Sequence, residues 1–184
     1  MIQIKTYFKV SVLFLTSLYT QAQCEVFKSE IADVKKYMLQ VSQLSDSLRP
    51  ASEIASFNAK FSTARFSTKT VLLLMGQAVT AADEAVLLAS EAQYDSQSCG
   101  LVEAMSYSID AERHAIDARD FSSEAFENVK SASKARNLGN LQFYMRKAQR
   151  IIREAINSAD ASAYAAEIAH YSCSHDEDHA SLDK

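Results

Sequence analysis

Glycine and proline are nearly missing from this chain: three glycines and one proline in 184 residues. Tight hairpin turns draw on glycine for positive φ, so a strand-rich fold has almost nothing to turn on, and long helices are the remaining option. The same scarcity excludes a glycine-rich phosphate loop. Three cysteines allow one disulfide at most. Beyond residue 22 no unbroken apolar run exceeds five residues, Val71 to Met75 being the first candidate, so no stable membrane span is expected. Positive charge is also short. Nineteen Lys and Arg face 23 Asp and Glu, for a net charge of −4. A net acidic chain argues against sequence-specific nucleic-acid binding, while leaving room for a local basic patch.

What is present begins with an export signal. Lys5 and Lys9 precede an apolar stretch from Val10 to Tyr19, and Thr20-Gln21-Ala22 offers small residues at the −3 and −1 positions of a cleavage site. Residues 1–22 therefore read as a signal peptide, and the protein as exported, periplasmic or secreted. A lipoprotein signal using Cys24 is the poorer reading, because Gln23 stands where a small residue belongs. Residues 23–173 then form one helical bundle domain and 174–184 a polar tail, expected to fray.

Within the domain, Phe27, Ile31, Val34, Met38, Val41 and Leu48 fall on one helical face, with Lys28, Glu30, Asp33, Lys35 and Lys36 around the other. The spacing predicts a first helix over 25–48, ended by Pro50. A short piece follows over 51–59, and a break is expected in the hydroxyl-rich run 61–68. Further helices are predicted over 68–94, 101–135 and 141–171. They are separated by turns at 96–100 and 137–140, with Gly139 suited to a left-handed cap.

A seven-residue spacing of small side chains runs through the last three helices. Ala104, Ala111, Ala118, Ala125 and Ala132 make one column, beside Ser108, Ala115, Ser122 and Val129. Ala78, Ala85 and Ala92 lie beside Met75, Ala82 and Ala89. Ala148, Ala155, Ser162 and Ala169 lie beside Ile152, Ala159, Ala166 and Cys173. A heptad repeat keeps one coiled-coil seam facing a neighbour, and small residues on it let backbones close up. The pattern resembles the antiparallel alanine-lined packing called an Alacoil over residues 71–173, a packing mode that carries no function. The fold class is therefore all-α: an up-and-down antiparallel bundle of three long helices plus an N-terminal helix. The helices over 68–94 and 141–171 match at one constant offset, which the shared heptad constraint explains almost as well as duplication and is the preferred reading.

Chain reversal at the two turns gathers chemistry at the ends. At one end stand Glu91, Asp95, Cys99, Glu103 and Glu167, with a candidate metal set of His170, Cys173, His175 and His179 for Zn²⁺, Cu²⁺ or Ni²⁺. The competing reading is a solvated acidic tail, with Cys173 in a disulfide to Cys99, which the near-equal lengths of two helices bring level. Glu167 and His170 spell Glu-x-x-His, but a second such pair is missing, so a di-iron bundle is rejected. His114, on a line with Tyr107 and Phe121, reads as a packing residue. The acids Glu103, Asp110, Asp117 and Glu124 read as a solvated face. At the other end Lys130, Lys134 and Arg136 meet Arg146, Lys147, Arg150 and Arg153, with Lys60, Arg65 and Lys69 nearby. Cations at the start of a helix oppose its dipole. Arg146, Lys147, Arg150 and Arg153 are thus the candidate binding surface.

No catalytic constellation emerges and no cofactor is required. The expectation is an exported non-enzymatic bundle that binds an acidic protein or polyanion, or self-associates. A transition-metal-binding protein is the alternative, and membrane insertion by helical rearrangement a weaker third.

Overall fold

The computed structural model describes the backbone of residues 3–99 and 102–180, and the side chains of 23–97 and 102–173. It is all-α, with no strand among the described residues. The elements are α1 (Gln3–Ser47), α2 (Arg49–Phe57), α3 (Phe61–Cys99), α4 (Val102–Ser133) and α5 (Leu138–Ala180). Helix α1 packs on α3 and α5, as does α4, so α1 and α4 stand across one diagonal. Phe27, Ala92, Ala104 and Cys173 share one core cluster, and Leu48, Val71, Ala132 and Leu141 another. The first group marks the upper end of the bundle and the second the lower. α1 and α4 descend while α3 and α5 ascend, the up-and-down arrangement expected.

Local chemistry places the bends. Pro50 sits in the first turn of α2, where its missing N–H has no partner to lose. The chain bends there instead of stopping. The break expected over 61–68 lies earlier. Asn58 leaves the helical region at ψ 135°, and its Oδ1 accepts the Lys60 N–H at 2.8 Å. α3 then starts at Phe61 and runs through the hydroxyl-rich stretch, where Thr68 folds its hydroxyl back onto the Ala64 carbonyl at 2.8 Å. Gly139 is likewise not a left-handed cap but part of the first turn of α5. Asn137 does the capping, its Oδ1 accepting the Asn140 N–H at 2.8 Å. The expected turn at 96–100 is helical as far as Cys99. α1 runs unbroken past the expected cleavage point, and α5 continues to Ala180, beyond the start of the expected tail.

Every member of the small-residue columns is buried. Ser162 shows how close the backbones come: its hydroxyl reaches across from α5 to donate to the Ala111 carbonyl of α4 at 2.8 Å. Ser96 and Ser108 meet between α3 and α4 at 3.3 Å. Each buried alanine methyl is worth only about 0.8 kcal/mol. The large side chains of α1, among them Phe27, Ile31 and Met38, are fully buried and fill what the alanines leave open.

Averaged over 18 residues instead of counted as an unbroken run, α3 between Phe61 and Gln97 is long and apolar enough to cross a membrane. Its leucines and valines supply most of that average, and the interspersed alanines add to it. Only 33% of the stretch is buried in the bundle.

Candidate functional site

The lower end is built by α2, the start of α3 and the start of α5. Two hydrogen bonds strap α2 to α5: Gln142 Nε2 donates to the Asn58 carbonyl at 2.9 Å, and Gln149 Nε2 to Ser52 Oγ at 3.2 Å. This sets Phe57, 66% exposed, beneath the Arg146 guanidinium at 5.2 Å from the ring centre. Arg65 lies 5.9 Å from the Phe61 ring in the same way. Exposed Phe143 stands edge-on to Tyr144 at 5.3 Å. Guanidinium held over an aromatic face is an attraction that leaves its hydrogen-bond donors free for a ligand.

The ion pairs divide the molecule. Lys28, Lys35, Lys36, Arg49, Arg113, Arg119, Lys130 and Lys147 each pair with a carboxylate, Lys147 with Glu124 at 3.4 Å. Among the described residues, the cations within reach of no carboxylate are Lys60, Arg65, Lys69, Lys134, Arg136, Arg146, Arg150 and Arg153. All of these belong to the lower half. Of the four expected surface residues, Arg146, Arg150 and Arg153 are thus uncompensated and exposed, and Lys147 is exposed but paired. Beside them a cleft of 330 Å³ opens between α1, α2 and α5. Its walls carry Asp46, Arg49, Glu53 and Arg153, of which Asp46 and Arg49 are joined at 3.2 Å.

At the upper end the expected metal set is only partly in view. Cys173 is buried and His170 half-buried, while the side chains of His175 and His179 lie outside the described residues. Among the described residues no group of three or more His, Cys, Asp or Glu is placed to hold a metal ion. No two described cysteines stand at disulfide distance. The Cys99 side chain of the expected Cys99–Cys173 bond lies outside them. α1 carries Cys24 to this same end, one turn from buried Phe27.

The site missed from sequence is Glu30. Placed among the outward polar residues of the first helix, it is half-buried against α3, with Oε2 fully enclosed and without a hydrogen-bond partner. Burial, then the charges of Asp95 and Glu91, then a hydrogen bond with Asp95, raise its carboxyl to about 7. No signal within the first helix reveals this, since the opposing acids come from another element. The acid column on α4 is solvent-facing as expected, Asp110 pairing with Arg113 at 3.1 Å. His114 is half-buried beside the seam.

Comparison with models of protein families finds no match, and no curated protein matches the chain.

Proposed function

We propose that this protein is an exported, non-enzymatic binding bundle, whose lower end takes an acidic protein or a polyanion. The observation that carries this reading is the segregation of charge compensation. Described cations of the upper half are all paired with carboxylates, whereas below most are uncompensated, Arg49, Lys130 and Lys147 excepted, and exposed aromatic rings accompany them. Unpaired surface cations are drawn to anions and release counterions on contact, so binding follows salt concentration steeply. Phe57 and Phe143 add apolar contact that salt does not screen. Export by the N-terminal segment, and a disulfide between Cys99 and Cys173 formed in the oxidising compartment beyond, belong to the same proposal.

Retention on heparin at low salt is the direct test. It should fall as salt rises, and Arg146→Glu with Arg150→Glu should abolish it without altering helix content. Wild-type protein that ignores heparin, an acidic polypeptide and anionic vesicles alike at low salt would refute the reading.

A further inference from the structure

Each long helix of an antiparallel bundle turns one column of residues away from its neighbours. On α1 that column holds Ser29, Lys36 and Gln43, and on α4 Arg113, Asp120 and Glu127, all exposed and all polar. α5 departs from this in part, its column reading Phe143, Arg150, Asn157, Tyr164 and Tyr171, and α3 departs from it along its whole length. Its outward column, again one residue in every seven, reads Phe66, Leu73, Thr80, Leu87 and Tyr94. These are exposed by 74% at Phe66, 66% at Leu73, 57% at Leu87 and 70% at Tyr94, and Thr80 is exposed too. An apolar column at heptad spacing is the seam of a coiled coil, and here it lies on the outside of the bundle.

We propose that this face binds a second copy of the chain, α3 against α3 and antiparallel, about a twofold axis at Thr80. Three observations select this occupant. The column is a palindrome, aromatic–Leu–Thr–Leu–aromatic. Antiparallel pairing about Thr80 therefore sets Phe66 level with Tyr94 of the second copy and Leu73 level with Leu87, a self-complementary contact of the kind a twofold dimer requires. Charge follows the same symmetry. Arg65 and Lys69 flank the lower half of the column, and Glu84 and Glu91 the upper half. Antiparallel pairing brings the basic half onto the acidic half of the second copy, whereas parallel pairing would join like to like. Finally, the centre is ready to be covered. The Thr80 hydroxyl already donates to the Gly76 carbonyl of its own helix at 3.1 Å, so a dimer seam strands no donor there. From Phe66 to Tyr94 the column is about 42 Å long at about 1.5 Å per residue. That extent suits a standard interface of about 800 Å² per partner. The lower-end surface lies largely on α2 and α5, so this inference stands or falls apart from the polyanion reading.

Sedimentation of the purified full chain should show a dimer that Leu73→Asp with Leu87→Asp converts to monomer, with helix content unchanged because both positions are exposed, and with melting lowered only by the lost association. Cysteine cross-linking checks the geometry without relying on that variant. Thr80→Cys should link to itself across the axis, identified by the linked peptide so that native cysteines do not confuse the result. Leu73→Cys should link to Leu87→Cys in a mixture of the two chains, but not to itself. A protein still monomeric at about 100 µM, weaker than a specific interface allows, overturns the proposal. So does a dimer indifferent to the double substitution, or Leu73→Cys linking to itself. Neutral vesicles serve as a control. A monomer that binds them through Leu73 and Leu87 would mean that the column meets lipid and not a second copy.

Discussion

Glu30 makes the sharpest residue-scale prediction. Its carboxyl, raised to about 7, binds a proton in the folded chain between the ordinary carboxylate range and neutrality, when the unfolded chain has released it. The folded state then holds more protons, so this group's contribution makes stability fall as pH rises across that window, and level off above it. Three acids meet there from two elements: Glu30 on α1, Asp95 and Glu91 on α3. On the α5 side the nearest named ion pair is Lys35 Nζ with Glu167 Oε1 at 2.9 Å, little more than a turn below. Glu30→Gln should remove the falling slope, and stabilise the protein at pH 8 by up to about 3 kcal/mol, less where solvent screens the group. Thermal melts of both proteins from pH 4.5 to 8 read this directly. Parallel stability curves would show that Glu30 titrates as an ordinary surface acid. The residue was illegible from sequence because helical periodicity says which way a side chain points from its own axis, and nothing about what the next helix brings to meet it.

At the scale of the element, the helices and their buried faces were legible almost whole, because the heptad of small residues acts through geometry alone. Ala111 and Ala118 are both fully buried, as their columns required. Ala118→Leu should therefore force the α4 backbone away from its neighbours at a cost of about 1–3 kcal/mol, measured by chemical denaturation. A neutral result would mean that the seam has slack. Helix ends were less legible, for a chemical reason. Gly139 looked like a stop signal, yet Asn137 two residues earlier captures the Asn140 N–H and starts α5 before the glycine. Ser62, Thr63, Ser67 and Thr68 looked like a break, yet a serine or threonine hydroxyl can bond to its own helix, as Thr68 does. The exposed column of α3 was in the same heptad all along. Its role is not legible from the heptad alone, since periodicity assigns a stripe to a neighbour without saying whether that neighbour is in the same chain.

Across the whole molecule the two ends differ in kind: uncompensated cations below, acids and cysteines above. The lower end was legible as charge, but which cations stay unpaired depends on contacts between helices that no sequence pattern displays. The upper end makes the last prediction. Cys24, Cys99 and Cys173 lie on α1, α3 and α5, and all three reach this end, so each of the three pairings is a competitor. Chain reversal through α4 returns Cys173 to the level of Cys99, and Cys173 is buried among the alanines there, 1% exposed. Cys24 is its rival on the adjacent α1, only partly buried and the second residue of the expected mature chain. A terminal residue loses more freedom on being fixed than one at the end of a long packed helix, which favours Cys99 as the partner. Closing the loop from Cys99 to Cys173 contributes about 4–5 kcal/mol in the chain-entropy account. Reduction should then lower the melting temperature by roughly 10 °C, and peptide mapping of the unreduced protein should yield the Cys99–Cys173 linkage. A Cys24–Cys173 linkage would instead make α1 the element that is stapled. Two free thiols at Cys99 and Cys173, with melting indifferent to reductant, would leave both sulfurs available as ligands and reopen metal binding beside His170.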